Sequence, residues 1–279
     1  MLSIEAVAIT LTGKIDGLYM DVGGNHNEQS IIDNSGNFMG LFYRATDREL
    51  LEIRRKIFFD RGLPMLSKNG YEKSPFSAAN FGKDNTGSYS YEFCKLTENS
   101  LLQIVSVHII KGDKWIQISL NIFQLDNEIK GLRQLNQVNG IEFILPPNSV
   151  SNMRLHVDDF KGMPLFNYDF WFKNHKLKSY FTKNGFDKRV KRLSKRIERD
   201  LTDFDKYVSR WLKLHNPVAT TIEGKIKGLN AMTVNERLNI TGLTKQFEEA
   251  RHKNKEYATN ILKWLEVDEL SIKTILGKS

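Results

Sequence analysis

Two periods of apolar residues divide this chain. From Ser88 to Leu125 the period is two. SYSYEFCKL (88–96), LLQIVSVHII (101–110) and WIQISLNIFQL (115–125) are runs separated by TENS and KGDK, and connections that short join antiparallel neighbours. In the third run Ile116, Ile118, Leu120 and Ile122 alternate with Gln117, Ser119 and Asn121. That alternation predicts one face in the core and one facing water or a partner, so these three polar residues are the candidate partner-binding positions. The middle run, apolar on both faces, reads as the central strand. From Phe186 to Leu214 the period lengthens to three and four. Val190, Leu193, Ile197, Leu201, Phe204, Val208 and Trp211 predict one long amphipathic helix over residues 187–214.

The remaining elements follow from turn and capping chemistry. Residues 4–12 alternate as a strand, and Asp33-Asn34-Ser35-Gly36 predicts a hairpin between Ile31-Ile32 and Phe38-Met39. Thr46 and Glu49 fit a capping box opening a helix that buries Leu50, Leu51, Ile53, Ile57 and Phe58, with Gly62 and Pro64 expected to end it. Residues 66–87 read as loop. Residues 141–147 are expected to add a strand stopped by Pro146-Pro147, with a further short strand over 153–157. The aromatic segment 160–186 is read as filling between sheet and helix. Asn216-Pro217 then breaks the pattern. Thr233 and Glu236 form a second capping box, followed by apolar stripes through Leu238, Leu243, Phe247 and Ala250, then Tyr257, Ile261, Leu262, Trp264 and Leu265, then Ile272, Ile275 and Leu276. The expected fold is α+β: an antiparallel sheet with one early helix and one long basic amphipathic helix, then a small helical C-terminal module. The expected division is an α+β domain over 1–215, a connector over 216–231 and the helical module over 232–279.

The last segment, MTVNERLNITGLTKQFEEARHKNKEYATNILKWLEVDELSIKTILGK (232–278), resembles a group of very small, stand-alone bacterial helical proteins that begin MTVNERL and continue G-L, F-x-x-A, I-L-x-x-L and I-x-x-I-L. The resemblance implies association with toxin and immunity loci and a protein-interaction role. It supplies no catalytic residue, cofactor or metal ligand.

Charge adds a second candidate. The 279-residue chain carries a net charge of +8, which suits an acidic partner. Residues 173–199 hold eleven Lys or Arg against Asp187 and Glu198. On the predicted helix Lys188, Arg189, Lys191, Arg192, Lys195, Arg196 and Arg199 are the candidate nucleic-acid-binding residues, with a plain solvated face as the alternative. Cys94 is the single cysteine, so neither an intrachain disulfide nor a cysteine-rich metal site is expected. No run reaches the ~18 apolar residues of a membrane-spanning helix, and the first residues read as a strand, not a signal peptide, so a cytoplasmic protein is expected.

No constellation of catalytic residues emerges. Gly82–Ser88 lacks the lysine of a phosphate loop and precedes a strand, not a helix. His156 with Asp158 and Asp159 reads as a solvated turn, completed as a metal site only by a histidine elsewhere in the chain. His108 reads as a hydrogen-bonded sheet histidine and Cys94 as a buried strand residue. Catalytic, cofactor and metal sites are therefore expected to be none. The functional expectation is a non-enzymatic bacterial protein-interaction protein, such as an immunity or accessory protein that occludes a protein partner. Nucleic-acid binding through residues 173–199 is the alternative, and an enzyme on an unfamiliar scaffold the third.

Overall fold

The computed structural model describes residues 43–97, 100–125, 129–156, 175–177 and 181–277. The expected strand at 4–12, the hairpin at 31–39, Asp158, Asp159 and the aromatics from Phe160 to Phe172 lie outside the described residues.

The fold is α+β. Its centre is the expected meander, β3 (Tyr89–Leu96), β4 (Leu101–Ile109) and β5 (Gln117–Gln124), antiparallel throughout. Short β1 (Glu72–Lys73) and β2 (Phe81–Lys83) pair with β3. On the far edge, β5 pairs antiparallel with β6 (Met153–Arg154) and parallel with β7 (Val218–Ala219). Residues 141–143 form a 3-10 turn, where a strand was expected. Gly140 enters that turn at φ 83°, and a Cβ there would lie 2.3 Å from Phe76 Cγ, so the chain bends where an extended strand would have to continue.

Helix α1 (Asp47–Ile57) starts at the predicted capping box: the Thr46 hydroxyl accepts from Glu49 N–H and the Glu49 carboxylate accepts from Thr46 N–H at 2.8 Å. Gly62 and Pro64 do not end the helical path. A π-type turn over Phe58–Gly62 leads into α2 (Leu63–Lys68), and Leu63 N–H bonds to Phe58 O, five residues back. The wider turn makes room for the proline ring, which would otherwise press on a carbonyl one turn earlier. Arg54 is fully buried and donates to Leu50, Ile110 and Trp115 carbonyls, tying α1 to the β4–β5 connection.

The predicted long helix is two. α3 (Lys183–Thr202) and α4 (Asp205–Leu214) meet at Asp203-Phe204. The break lets Phe204 pack edge-on against Tyr71 at 5.2 Å while Trp211 Nε1 donates to Ser151 O at 2.8 Å. The apolar stripe still works as one surface, since Leu193, Ile197, Leu201, Phe204 and Trp211 are all buried against the sheet face bearing Tyr91, Phe93, Val105, Val107, Ile118 and Leu120.

The other sheet face has its own smaller core of Phe76, Leu102, Ile104, Phe123, Leu135 and Phe143. A third core belongs to α5 (Val234–Ile240), α6 (Thr244–Lys253), α7 (Lys255–Trp264) and α8 (Glu269–Gly277), which bury Leu238, Phe247, Ile261, Leu262 and Leu265 together. The Thr233–Glu236 capping box opens α5 as predicted. Among the described residues no helix is long and apolar enough to cross a membrane.

Candidate metal centre

Strand β5 sets out the site along its outer edge. Leu155 N–H bonds to Ile118 O at 2.9 Å just before His156. Two and four residues earlier, just before β5 begins, Ile116 N–H bonds to His175 O and Leu177 N–H to Lys114 O, each at 2.8 Å. The two histidines, nineteen positions apart in sequence, are thus placed side by side, their rings 4.8 Å apart and nearly perpendicular. His156 takes the left-handed backbone conformation, φ 64°, uncommon outside glycine and concentrated where function or tight geometry demands it. The carboxylate comes from α3: packing of Leu193, Ile197 and Leu201 into the core rotates Asp200 toward the same edge.

The three side chains converge. His156 Nε2 lies 2.7 Å and His175 Nε2 3.0 Å from Asp200 Oδ2, and the three potential ligand atoms lie within 4.8 Å of one another. The other oxygen, Oδ1, accepts from Arg199 Nε at 2.9 Å and Nη2 at 2.7 Å. Tyr207 of α4 brings its hydroxyl to 2.7 Å from His156 Nε2. His175 is 3% exposed and Asp200 6%, whereas His156 is 22% exposed.

Electrostatics leave His175 and Asp200 in the protonation states that a metal requires. Burial alone would raise the Asp200 pKa, but the bonds from His156, His175 and Arg199 outweigh it and hold the carboxyl well below its usual range. Burial lowers His175 to about 4 against the opposing pull of Asp200, with His156 and Arg196 adding to the fall. At neutral pH this is a neutral imidazole beside a carboxylate.

The contact pattern also separates ligation from proton relay. A relay through an imidazole uses its two nitrogens for two partners, base on one side and orienting acid on the other. At His156 both Asp200 and Tyr207 approach most closely at Nε2, so the contacts converge on one point instead of passing through the ring. Two imidazole nitrogens and one carboxylate oxygen form a donor set suited to zinc, manganese or iron. The bond from Arg199 is the kind of outer contact that fixes a ligating carboxylate.

Reading His156 as part of a solvated turn is therefore corrected: its partners come from His175 and Asp200, 19 and 44 residues downstream. Sequence reasoning passed over both, and only the condition that a distant histidine could complete the site pointed this way. The polar residues of β5 are corrected as well. Ser119 and Asn121 are buried, and Asn121 donates to Asn148 O while accepting from Ser151 Oγ; only Gln117 keeps partial exposure. They do not form a partner surface.

The basic residues occupy the helix that supplies Asp200. Lys188, Lys191, Arg192, Lys195 and Arg199 are exposed, and Arg189 and Arg196 half-buried. Burial lowers the Arg196 pKa, with Arg192 and Arg199 close enough to add to the effect and Asp200 opposing it. Where α3 gives way to α4, an open groove of about 770 Å³ is lined by Asp200, Tyr207, Arg199, Lys206 and Arg210, with Asp203 and Asp205 tempering the charge. No family model, curated protein or solved structure matches the chain.

Proposed function

We propose that this protein is a divalent-metal-dependent phosphodiesterase acting on nucleic-acid strands. The observation that carries the reading is the convergence of His156 Nε2, His175 Nε2 and Asp200 Oδ2 near the C-terminal end of a helix whose exposed face is basic. His156, His175 and Asp200 would hold the ion, which would supply a lowered pKa for a bound water and polarisation of the phosphoryl group. The chain's own residues do the rest. Arg199 holds Asp200 with one oxygen aimed at the histidines, and Tyr207 bonds to the more exposed histidine from the groove side. Lys188 to Arg199 span about 16 Å at 1.5 Å per residue, long enough to hold several backbone phosphates of a single strand. Hydrolysis adds the water oxygen to phosphorus, breaks one P–O ester bond and returns a proton to the leaving alkoxide.

The test is metal content and strand cleavage together. Full-length protein equilibrated with Zn²⁺ or Mn²⁺ and desalted is expected to retain about one ion per chain, and to cleave a single-stranded oligonucleotide in a chelator-sensitive manner. Asp200→Asn and His175→Ala should lose both ion and cleavage. Reversing the charge of Lys191, Arg192 and Lys195 should leave the ion in place but weaken strand binding and flatten its salt dependence. A chain that retains neither ion overturns the reading at its root. Retained metal without cleavage of any oligonucleotide overturns the enzymatic part alone.

A further inference from the structure

The sheet face away from α1–α4 has a polar half that the metal centre does not use. Pairing places Ser90 opposite His108, Glu92 opposite Ser106 and Ser106 opposite Ser119. The apolar half of this face is covered by Phe76, Leu102, Phe123 and Phe143. Over the polar half the cover lifts, leaving a cavity of about 250 Å³ lined in part by Glu92, Ser106, His108, Asn121, Phe143 and Ile144. That is smaller than the roughly 300 Å³ at which drug-sized sites begin, so its occupant is a small molecule.

Charge defines the occupant. Among the described residues lining the cavity Glu92 is the one carboxylate, and none is a lysine or arginine. Burial raises the Glu92 pKa, and the Ser74 hydroxyl, which donates to it, only partly opposes that rise. A half-buried acid without a neighbouring cation is costly, and the described residues lining the cavity supply none. The other groups suit a cationic donor. His108 has Nδ1 3.0 Å from Ser90 Oγ, and burial lowers its pKa despite Asp84, so the ring is neutral, and in the tautomer that donates from Nδ1 to Ser90 its Nε2 is left as an acceptor. Ser106 adds a hydroxyl oxygen. Ile104 and Phe143 offer an apolar wall, and Ile144, 48% exposed, also lines the cavity.

We propose that this cavity binds a small primary ammonium compound, with Glu92 as counter-charge, Ser106 and His108 as acceptors, and the apolar wall receiving the carbon skeleton. The test uses the full chain and three probes of equal length: n-butylammonium, 1-butanol and butyrate. Butylammonium is expected to raise the melting temperature saturably and to titrate one calorimetric site, while the alcohol and the acid do neither. Glu92→Gln should weaken butylammonium binding by about tenfold or more, the effect of a hydrogen bond to a charged group. Ser106→Leu, which fills the cavity while leaving Glu92 itself in place, should abolish binding, and decides the matter if the Glu92 variant fails to fold. Equal responses to butylammonium and 1-butanol, unchanged binding by Glu92→Gln or Ser106→Leu, or no saturable response to the amine would each overturn the proposal. Loss of metal at His156, His175 and Asp200 leaves these readouts untouched.

Discussion

Asp200 divides its two oxygens between tasks: Oδ1 is anchored by Arg199 and Oδ2 faces two imidazoles. Replacing it leaves a buried histidine and an arginine without their shared partner, so Asp200→Asn acts on stability as well as on metal. Glu92 presents the opposite case, an acid whose surroundings disfavour its charge. Its pKa is raised in the folded protein by burial, so the native state holds that proton more firmly than the unfolded chain. The stability it contributes is full below the unfolded glutamate pKa and is lost as pH rises through the elevated folded value. Glu92→Gln is therefore expected to raise the melting temperature near neutral pH, with the gain shrinking as pH falls toward the ordinary glutamate range. Melting curves of both proteins across that range check the sign; a gain that grows on acidification would contradict it.

At the scale of elements, the π-type turn between α1 and α2 holds the early helix against α3. Gly62 sits where a Cβ would lie 2.7 Å from Phe58 Cδ2 and 3.1 Å from Leu201 Cδ1. Helix propensity alone would favour alanine there by about 1 kcal/mol. The clash falls on packed side chains of the main core, where overpacking costs about 1–3 kcal/mol, so Gly62→Ala is expected to destabilise the protein. Because Leu201 follows Asp200 directly, the same variant should also lower metal affinity, and denaturant unfolding with metal titration reads both. Stabilisation by Gly62→Ala would show that the Phe58 ring moves aside freely. The break between α3 and α4 is the companion feature: it directs Tyr207 back to the histidines that Asp200 approaches from the end of α3.

In the molecule as a whole, three cores among the described residues divide the work. The largest lies between the helices and the sheet and fixes the metal centre; the second closes the opposite sheet face; the third lies within the C-terminal helices, with Val150 packed against it from the sheet region. Few side chains of the first two cores depend on the third. A chain ending at Ala231 is thus expected to keep a cooperative thermal transition and its bound metal, as read by circular dichroism and metal analysis. A truncated chain that does not fold would show that α5–α8 complete the main core.

The amino-acid sequence determined those features whose cause is local. Period-two alternation is enough to specify the meander, because neighbouring strands joined by four residues have no other convenient partner. The capping boxes at Thr46 and Thr233 are satisfied within four residues, so each helix start was legible. The apolar stripe from Val190 to Trp211 correctly marked the buried face of α3 and α4, although not the break that re-aims Trp211. Tertiary structure alone decided what that stripe delivers. His156, His175 and Asp200 lie 19 and 25 residues apart along the chain, and no spacing rule joins a residue after one short strand, a residue next to a bridge and a helical residue. They meet because both histidines lie along one edge of β5 and the residues leading into it and because burying Leu193, Ile197 and Leu201 turns Asp200 toward them. The polar face of β5 shows the converse. Alternation identified Gln117, Ser119 and Asn121 as facing away from the main core, but whether that direction led to solvent or to a covering loop depended on residues 141–151 folding back over the sheet, a long-range contact that the pattern of the strand does not encode.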